Sequence, residues 1–154
     1  MQLAGLASVR ILDFPDGGLH FTEEAVGQAR REMERLQITH LFAFSGTAHS
    51  VRSDDHRQAG LIAMAALRAY LADRAGERVP VYRFSTSRPN LVVNITDTFD
   101  SKLKLLGQFS DFSGWRAPMI RSLQEGMAES YGRLIGVKYG EGFEKENAAG
   151  SSQP

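Results

Sequence analysis

One polar, ligand-rich stretch of this 154-residue chain stands out, Ala48–Gly60 (AHSVRSDDHRQAG). His49, Asp54, Asp55 and His56 can each ligate a metal or carry a proton, and Arg52 and Arg57 sit among them. Imidazole and carboxylate are the donors of a catalytic zinc site, which holds three protein ligands and leaves one position open for water. Such an ion lowers the pKa of its water towards ~7, and a neighbouring carboxylate can take the released proton. One histidine cannot make that site. With ligands from this chain, His56 needs His49, Asp55 or Asp16 beside it, and no spacing here matches a recognised zinc pattern. A plainer reading also fits, because Ser53 followed by Asp54 and Asp55 makes a good N-cap with acids in the first turn, where the helix dipole favours them.

The elements that must position this stretch follow from hydrophobic periodicity. His40–Ser45 (HLFAFS) reads as a strand, so the polar stretch lies at the mouth where a strand ends and a helix begins, which is where open α/β sheets hold ligands. A helix is predicted from about Ser53 to Arg74, with Ala59, Ile62, Ala63, Ala66 and Tyr70 at helical spacing and Gly76 at its C-terminal end. Upstream, Val9–Phe14 (VRILDF) reads as a buried strand ending on the turn Pro15-Asp16-Gly17-Gly18. Thr22–Leu36 reads as a helix capped by Thr22, with Glu23 and Glu24 in its first turn. These two elements and the His40 strand have the pattern of a βαβ unit.

Downstream, Val79–Ser85 and Leu91–Ile95 are predicted strands, with Pro80 putting the former at an entry or edge position. Thr96 or Asp97 caps a helix to about Gln108, Phe112-Ser113-Gly114-Trp115 is a loop, and Pro118 opens a last helix to about Leu134. The polar end of the chain reads as a disordered tail over residues 145–154. Strands alternating with helices predict an α/β fold with a mostly parallel sheet flanked by helices, in one domain over residues 1–144.

Composition narrows the partners. Eighteen basic side chains balance eighteen acidic ones, without the basic excess of a nucleic-acid binder. The absence of cysteine excludes disulfides, thiolate nucleophiles and Cys-based zinc sites. No apolar run approaches the roughly 18–20 residues of a membrane span, and MQLAGLASVR has no signal-peptide pattern. The expected location is cytoplasmic.

Four segments, in this order, resemble the LmbE-like, or PIG-L-like, zinc-dependent de-N-acetylases: LDFPDGGL (Leu12–Leu19), RSDDHRQAG (Arg52–Gly60), VVNITDTFDSKLKLLGQFS (Val92–Ser110) and YGRLIGVKYGEGF (Tyr131–Phe143). The resemblance spans about Val9 to Phe143. It implies a Rossmann-like fold and hydrolysis of an N-acetyl group from an N-acetylglucosamine-type sugar or glycoconjugate. It also implies Zn2+ bound by His56, with Asp55 and Arg52 supporting the catalytic pocket and Asp16 contacting a substrate hydroxyl.

Two departures accompany it. The family's opening Ala-His-Pro-Asp-Asp motif, which brings two zinc ligands and the general base, has no counterpart here, and Ser53 stands where the second motif has its first histidine. The resemblance therefore implies a chain lacking the first β-α-β portion of the fold, expected to be inactive alone and either poorly soluble or a homo-oligomer that buries the exposed sheet edge. The competing expectation is a non-catalytic remnant that binds carbohydrate or an assembly partner.

Overall fold

A computed structural model describes residues 5–45, 54–109 and 114–150. The chain divides into two compact units, one built on residues 12–91 and 143–150 and the other on residues 5–11 and 92–142.

In the first unit, helix α1 (Glu23–Leu36) begins where the Thr22 hydroxyl accepts the Ala25 N–H at 3.1 Å. It ends at Gln37, whose positive φ of 47° lets its N–H return to the last carbonyls of the helix. Strand β1 (Leu41–Phe44) leads to helix α2 (Asp54–Leu71) and then to strand β2 (Arg78–Phe84). β1 and β2 are parallel, Leu41 opposite Val81 and Phe44 opposite Phe84, so β1-α2-β2 is a βαβ unit. Met33 of α1, Ala66, Leu67, Tyr70 and Leu71 of α2, and Val79 and Val81 of β2 form one buried cluster. Both helices thus pack on the same face of the two strands. α2 stops a turn earlier than its periodicity suggests, and Gly76 (φ 81°) instead serves the turn into β2.

The second unit contains helix α3 (Phe99–Leu106), a short 3-10 turn at Gly114–Arg116 and helix α4 (Ala117–Ile135). Its core is Phe99 stacked on Tyr139 at 4.0 Å, with Ala128 against them. Strand β3 (Leu91–Asn94) enters this unit, and strand β4 (Gly140–Ala149) leaves it for the first. The strand order is β1-β2-β4-β3.

The α/β class stands, with a mixed sheet in place of a mostly parallel one. β4 runs antiparallel to β2, pairing Tyr82 with Lys145 and Arg78 with Ala149. The tail expected to be disordered from Lys145 is therefore strand as far as Ala149. Cross-strand contacts supply what local composition lacks: Arg83 pairs with Glu144 and Glu146, and the Lys145 ammonium lies 5.6 Å from the Tyr82 ring centre.

Val9–Phe14 is corrected in the other direction. It forms no strand, Val9 and Ile11 are 50% and 78% exposed, and Asp13 has a φ of 54° that no strand accepts. β propensity needs a neighbouring strand to become structure. β2 lies inside the sheet despite Pro80, because pairing with β1 begins only at Val81 and the proline ring faces a neighbour on one side alone. Neither Thr96 nor Asp97 is the residue that precedes α3. Thr98 occupies that place, and its hydroxyl donates to the Ile95 carbonyl rather than capping the helix.

Candidate functional site

The mouth at the C-terminal ends of β1 and β2 lies wholly within the first unit. The Ser45 N–H donates to the Phe84 carbonyl at 2.9 Å, and Ser45 and Thr86 are buried just past the two strands. Between them Ser85 holds a φ of 55°, in the left-handed region that a non-glycine residue enters only when its surroundings hold it there. Phe44 is the floor of the mouth, 4.4 Å from Phe84 and 4.2 Å from His56, ring centre to ring centre.

His56 reaches this position because it lies in the first turn of α2. Its Nδ1 is buried and has no hydrogen-bond partner among the described residues. A buried polar atom without a partner is rare and calls for an explanation such as a missing ion or a catalytic role.

Asp55 points elsewhere. Its Oδ2 accepts the Gly17 N–H at 2.7 Å and its Oδ1 accepts the Leu19 N–H at 3.1 Å. It thereby ties α2, through backbone amides, to the turn that carries Asp16. Gln58 extends the tie, its Oε1 accepting the Phe21 N–H at 3.1 Å while its Nε2 donates to Asp54 at 3.3 Å. Asp54 also accepts from Arg57, at 2.8 Å from Nη2 and 2.9 Å from Nε. That bond, aided by Gln58, holds the Asp54 carboxyl below its ordinary range, although the group is fully solvated.

The turn that carries Asp16, 39 positions before Asp55 in the sequence, is thus held against the first turn of α2, the turn in which His56 also lies. Asp16 is exposed, with no hydrogen bond or ion pair among the described residues, so its carboxylate is open to a ligand. Arg52, His49 and Ser53 lie outside the described residues. His40 stacks on Tyr82 at 6.2 Å, away from the mouth, and Trp115 of the second unit is 82% exposed beside Arg116. An apolar cavity of about 370 Å³ in that second unit, walled by Ile95, Leu105, Leu106 and the Lys102–Glu141 pair, contains none of the candidate residues.

Sequence reasoning missed Gln58, Phe44, Ser45 and Thr86. The acceptor spacing Asp55-x-x-Gln58, which puts both side chains on one side of a first helical turn, was the one usable signal.

The described residues do not fit a complete zinc centre. No three His, Cys, Asp or Glu side chains converge among them, and both oxygens of Asp55 are already engaged by the loop. His56 offers one orphaned nitrogen, which is a single ligand of the three such a centre requires. Among the described residues no helix is long and apolar enough to cross a membrane.

No family model matches the chain, and no curated protein sequence does. Its fold is similar to that of N,N'-diacetylchitobiose deacetylase from Pyrococcus horikoshii, with a TM-score of 0.78 and 25% identity over 94% of this chain and 59% of the deacetylase. It is similar to the conserved protein TT1542 from Thermus thermophilus, with a TM-score of 0.71 and 28% identity over 92% of this chain and 67% of the other. A third likeness is to GalB, the 4-carboxy-2-hydroxymuconate hydratase of Pseudomonas putida, with a TM-score of 0.68 and 16% identity over 99% of this chain and 70% of the hydratase. The chain is thus LmbE-like in fold and spans about three-fifths of the chitobiose deacetylase's length.

Proposed function

We propose that this chain forms the sugar-facing part of a zinc-dependent de-N-acetylase acting on an N-acetylglucosamine-type substrate. The observation that carries the reading is the contact of Asp55 with the Asp16 turn, in a fold similar to a chitobiose deacetylase. It holds the turn of the unpartnered Asp16 carboxylate against the first turn of α2, which also carries the orphaned His56 nitrogen. In this reading Asp16 takes a hydroxyl of the sugar, His56 is one zinc ligand, and Asp55 and Arg52 support the pocket. The other ligands and the general base come from outside the described residues.

For the 154-residue chain by itself we infer a narrower statement, that it binds the sugar and does not hydrolyse it, because its sequence has no counterpart of the Ala-His-Pro-Asp-Asp motif. The test is calorimetric titration of the chain with N,N'-diacetylchitobiose, paired with an assay for released acetate and a zinc count after dialysis. The expected result is binding weakened about tenfold or more in Asp16→Ala, with no acetate release and substoichiometric zinc. Stoichiometric zinc, with acetate release lost in His56→Ala, overturns the binding-only statement and leaves the de-N-acetylase reading. Absence of sugar binding overturns the substrate assignment.

A further inference from the structure

The loop that presents Asp16 has no regular structure of its own, yet three of its N–H groups are taken by side chains of a helix nearly forty positions away. Gly17 and Leu19 donate to Asp55, and Phe21 donates to Gln58. The three donors alternate along the loop as they would along a strand edge, so the first turn of α2 replaces the neighbouring strand that this segment lacks. The Gln58 acceptor is itself fixed. Gln58 has its amide oriented by donating to Asp54, and Asp54 is held by the Arg57 guanidinium. Beside them the Gly18 N–H closes the tight turn on the Pro15 carbonyl at 3.2 Å, and a Cβ on Gly18 would sit 3.1 Å from the Pro15 ring.

We propose that Asp55 and Gln58 are positioning residues that clamp the 15–21 loop to α2 and so fix the Asp16 carboxylate for substrate, a role resting on the sugar-site reading above. The clamp explains why Asp55 stands beside a candidate ligand without being free to act as one. It also makes Gln58, whose side chain is engaged by Phe21 and Asp54, a determinant of affinity. A loop free to move pays an ordering penalty when it binds, and holding it in advance removes that penalty.

Amide hydrogen exchange followed by NMR tests the clamp without any ligand. Gln58→Leu should speed exchange of the Phe21 amide at least tenfold and leave Gly17 and Leu19 slow. Asp55→Ala should speed Gly17 and Leu19. Asp55→Asn, which keeps one acceptor oxygen, should leave one of those two protected. A Phe21 amide unmoved by Gln58→Leu overturns the clamp, whatever the sugar assays show.

The positioning role is read from titration with N,N'-diacetylchitobiose. Gln58→Leu should weaken binding about tenfold with Asp16 present and cause no further loss in an Asp16→Ala background, since the clamp acts through Asp16. Equal losses in both backgrounds overturn the positioning role. If the parent chain binds no sugar, the substrate assignment fails, and exchange at the three amides still decides the clamp.

Discussion

Replacing His56 by leucine should make the metal-free protein more stable while destroying one of its two candidate ligand-binding groups. Nδ1 of His56 is buried with no partner among the described residues, and the ring lies 4.2 Å from Phe44 at a tilt of 51°. An unmade hydrogen bond on a buried polar atom costs about 1–3 kcal/mol. Leucine removes that atom, keeps similar bulk against Phe44 and forfeits an aromatic contact worth about 0.5–1.5 kcal/mol. The balance is a gain of about 1 kcal/mol. For a protein of this length that raises the midpoint of thermal unfolding by roughly 2–4 °C.

The assay is far-UV circular dichroism on heating, in EDTA and then in added Zn2+. A ligand that binds only the folded state at one hundred times its dissociation constant adds about 2.7 kcal/mol. Zinc should therefore raise the parent's midpoint and leave that of His56→Leu where it was, reversing the order seen in EDTA. A variant that melts lower than the parent in EDTA refutes the orphaned-nitrogen argument, because it means His56 was supplying stability. A zinc shift that survives the substitution refutes His56 as a ligand.

Two further perturbations probe how the scaffold is built. A Cβ on Gly132 would lie 2.6 Å from the Val137 carbonyl oxygen and 2.7 Å from that of Lys138. Both are backbone atoms, so Gly132→Ala should overpack by about 1–3 kcal/mol, exceeding its helix-propensity gain of about 1 kcal/mol. Gly126, on the same helix with nothing within 4 Å of its would-be Cβ, should gain about 0.5–1 kcal/mol on the same change. Urea midpoints moving in the same direction for both variants would refute the close approach of the 137–138 backbone to α4. At the other helix, Arg57→Ala should raise the Asp54 titration midpoint towards its ordinary value, read by NMR. Because the folded Asp54 is the more acidic state, its stabilising effect is present above that ordinary value and is lost as pH falls through the lowered one. The parent should therefore lose more stability than the variant over that acidic range, and equal losses would refute the Arg57 contact.

Local pattern revealed α1, β1, α2 and α4 because each carries its own signal: a threonine cap, an apolar strand, a helical stripe and a proline in the first turn. It failed for the two segments whose structure depends on distant neighbours. Residues 145–149 are polar and look unstructured, yet β2 pairs with them through Arg83 and Tyr82. Residues 9–14 are apolar and look like a strand, yet have no strand beside them among the described residues. The site divides in the same way. His56 and Asp55 stood out by residue type, but the partners of Asp55 and Gln58 lie 36 to 38 positions away, beyond any local pattern.

The fold leaves the reaction open, since one architecture is similar both to a deacetylase of an acetylated disaccharide and to a hydratase of an unsaturated acid. What distinguishes such chemistries is the set of groups presented at the strand-end mouth. Among the described residues, the mouth has an orphaned imidazole nitrogen and two phenyl rings, and the turn that carries the open Asp16 carboxylate is held to the same helix. A carboxylate exposed to solvent on a turn pinned through its amides suits recognition of a hydroxyl, because a single geometry can be matched by a sugar ring and missed by water. The aromatic floor gives such a ring an apolar surface to lie against. In the reading proposed above both features serve to hold a polyol and His56 serves bond cleavage, so the behaviour of His56 in the presence of zinc is the measurement that separates sugar binding from catalysis.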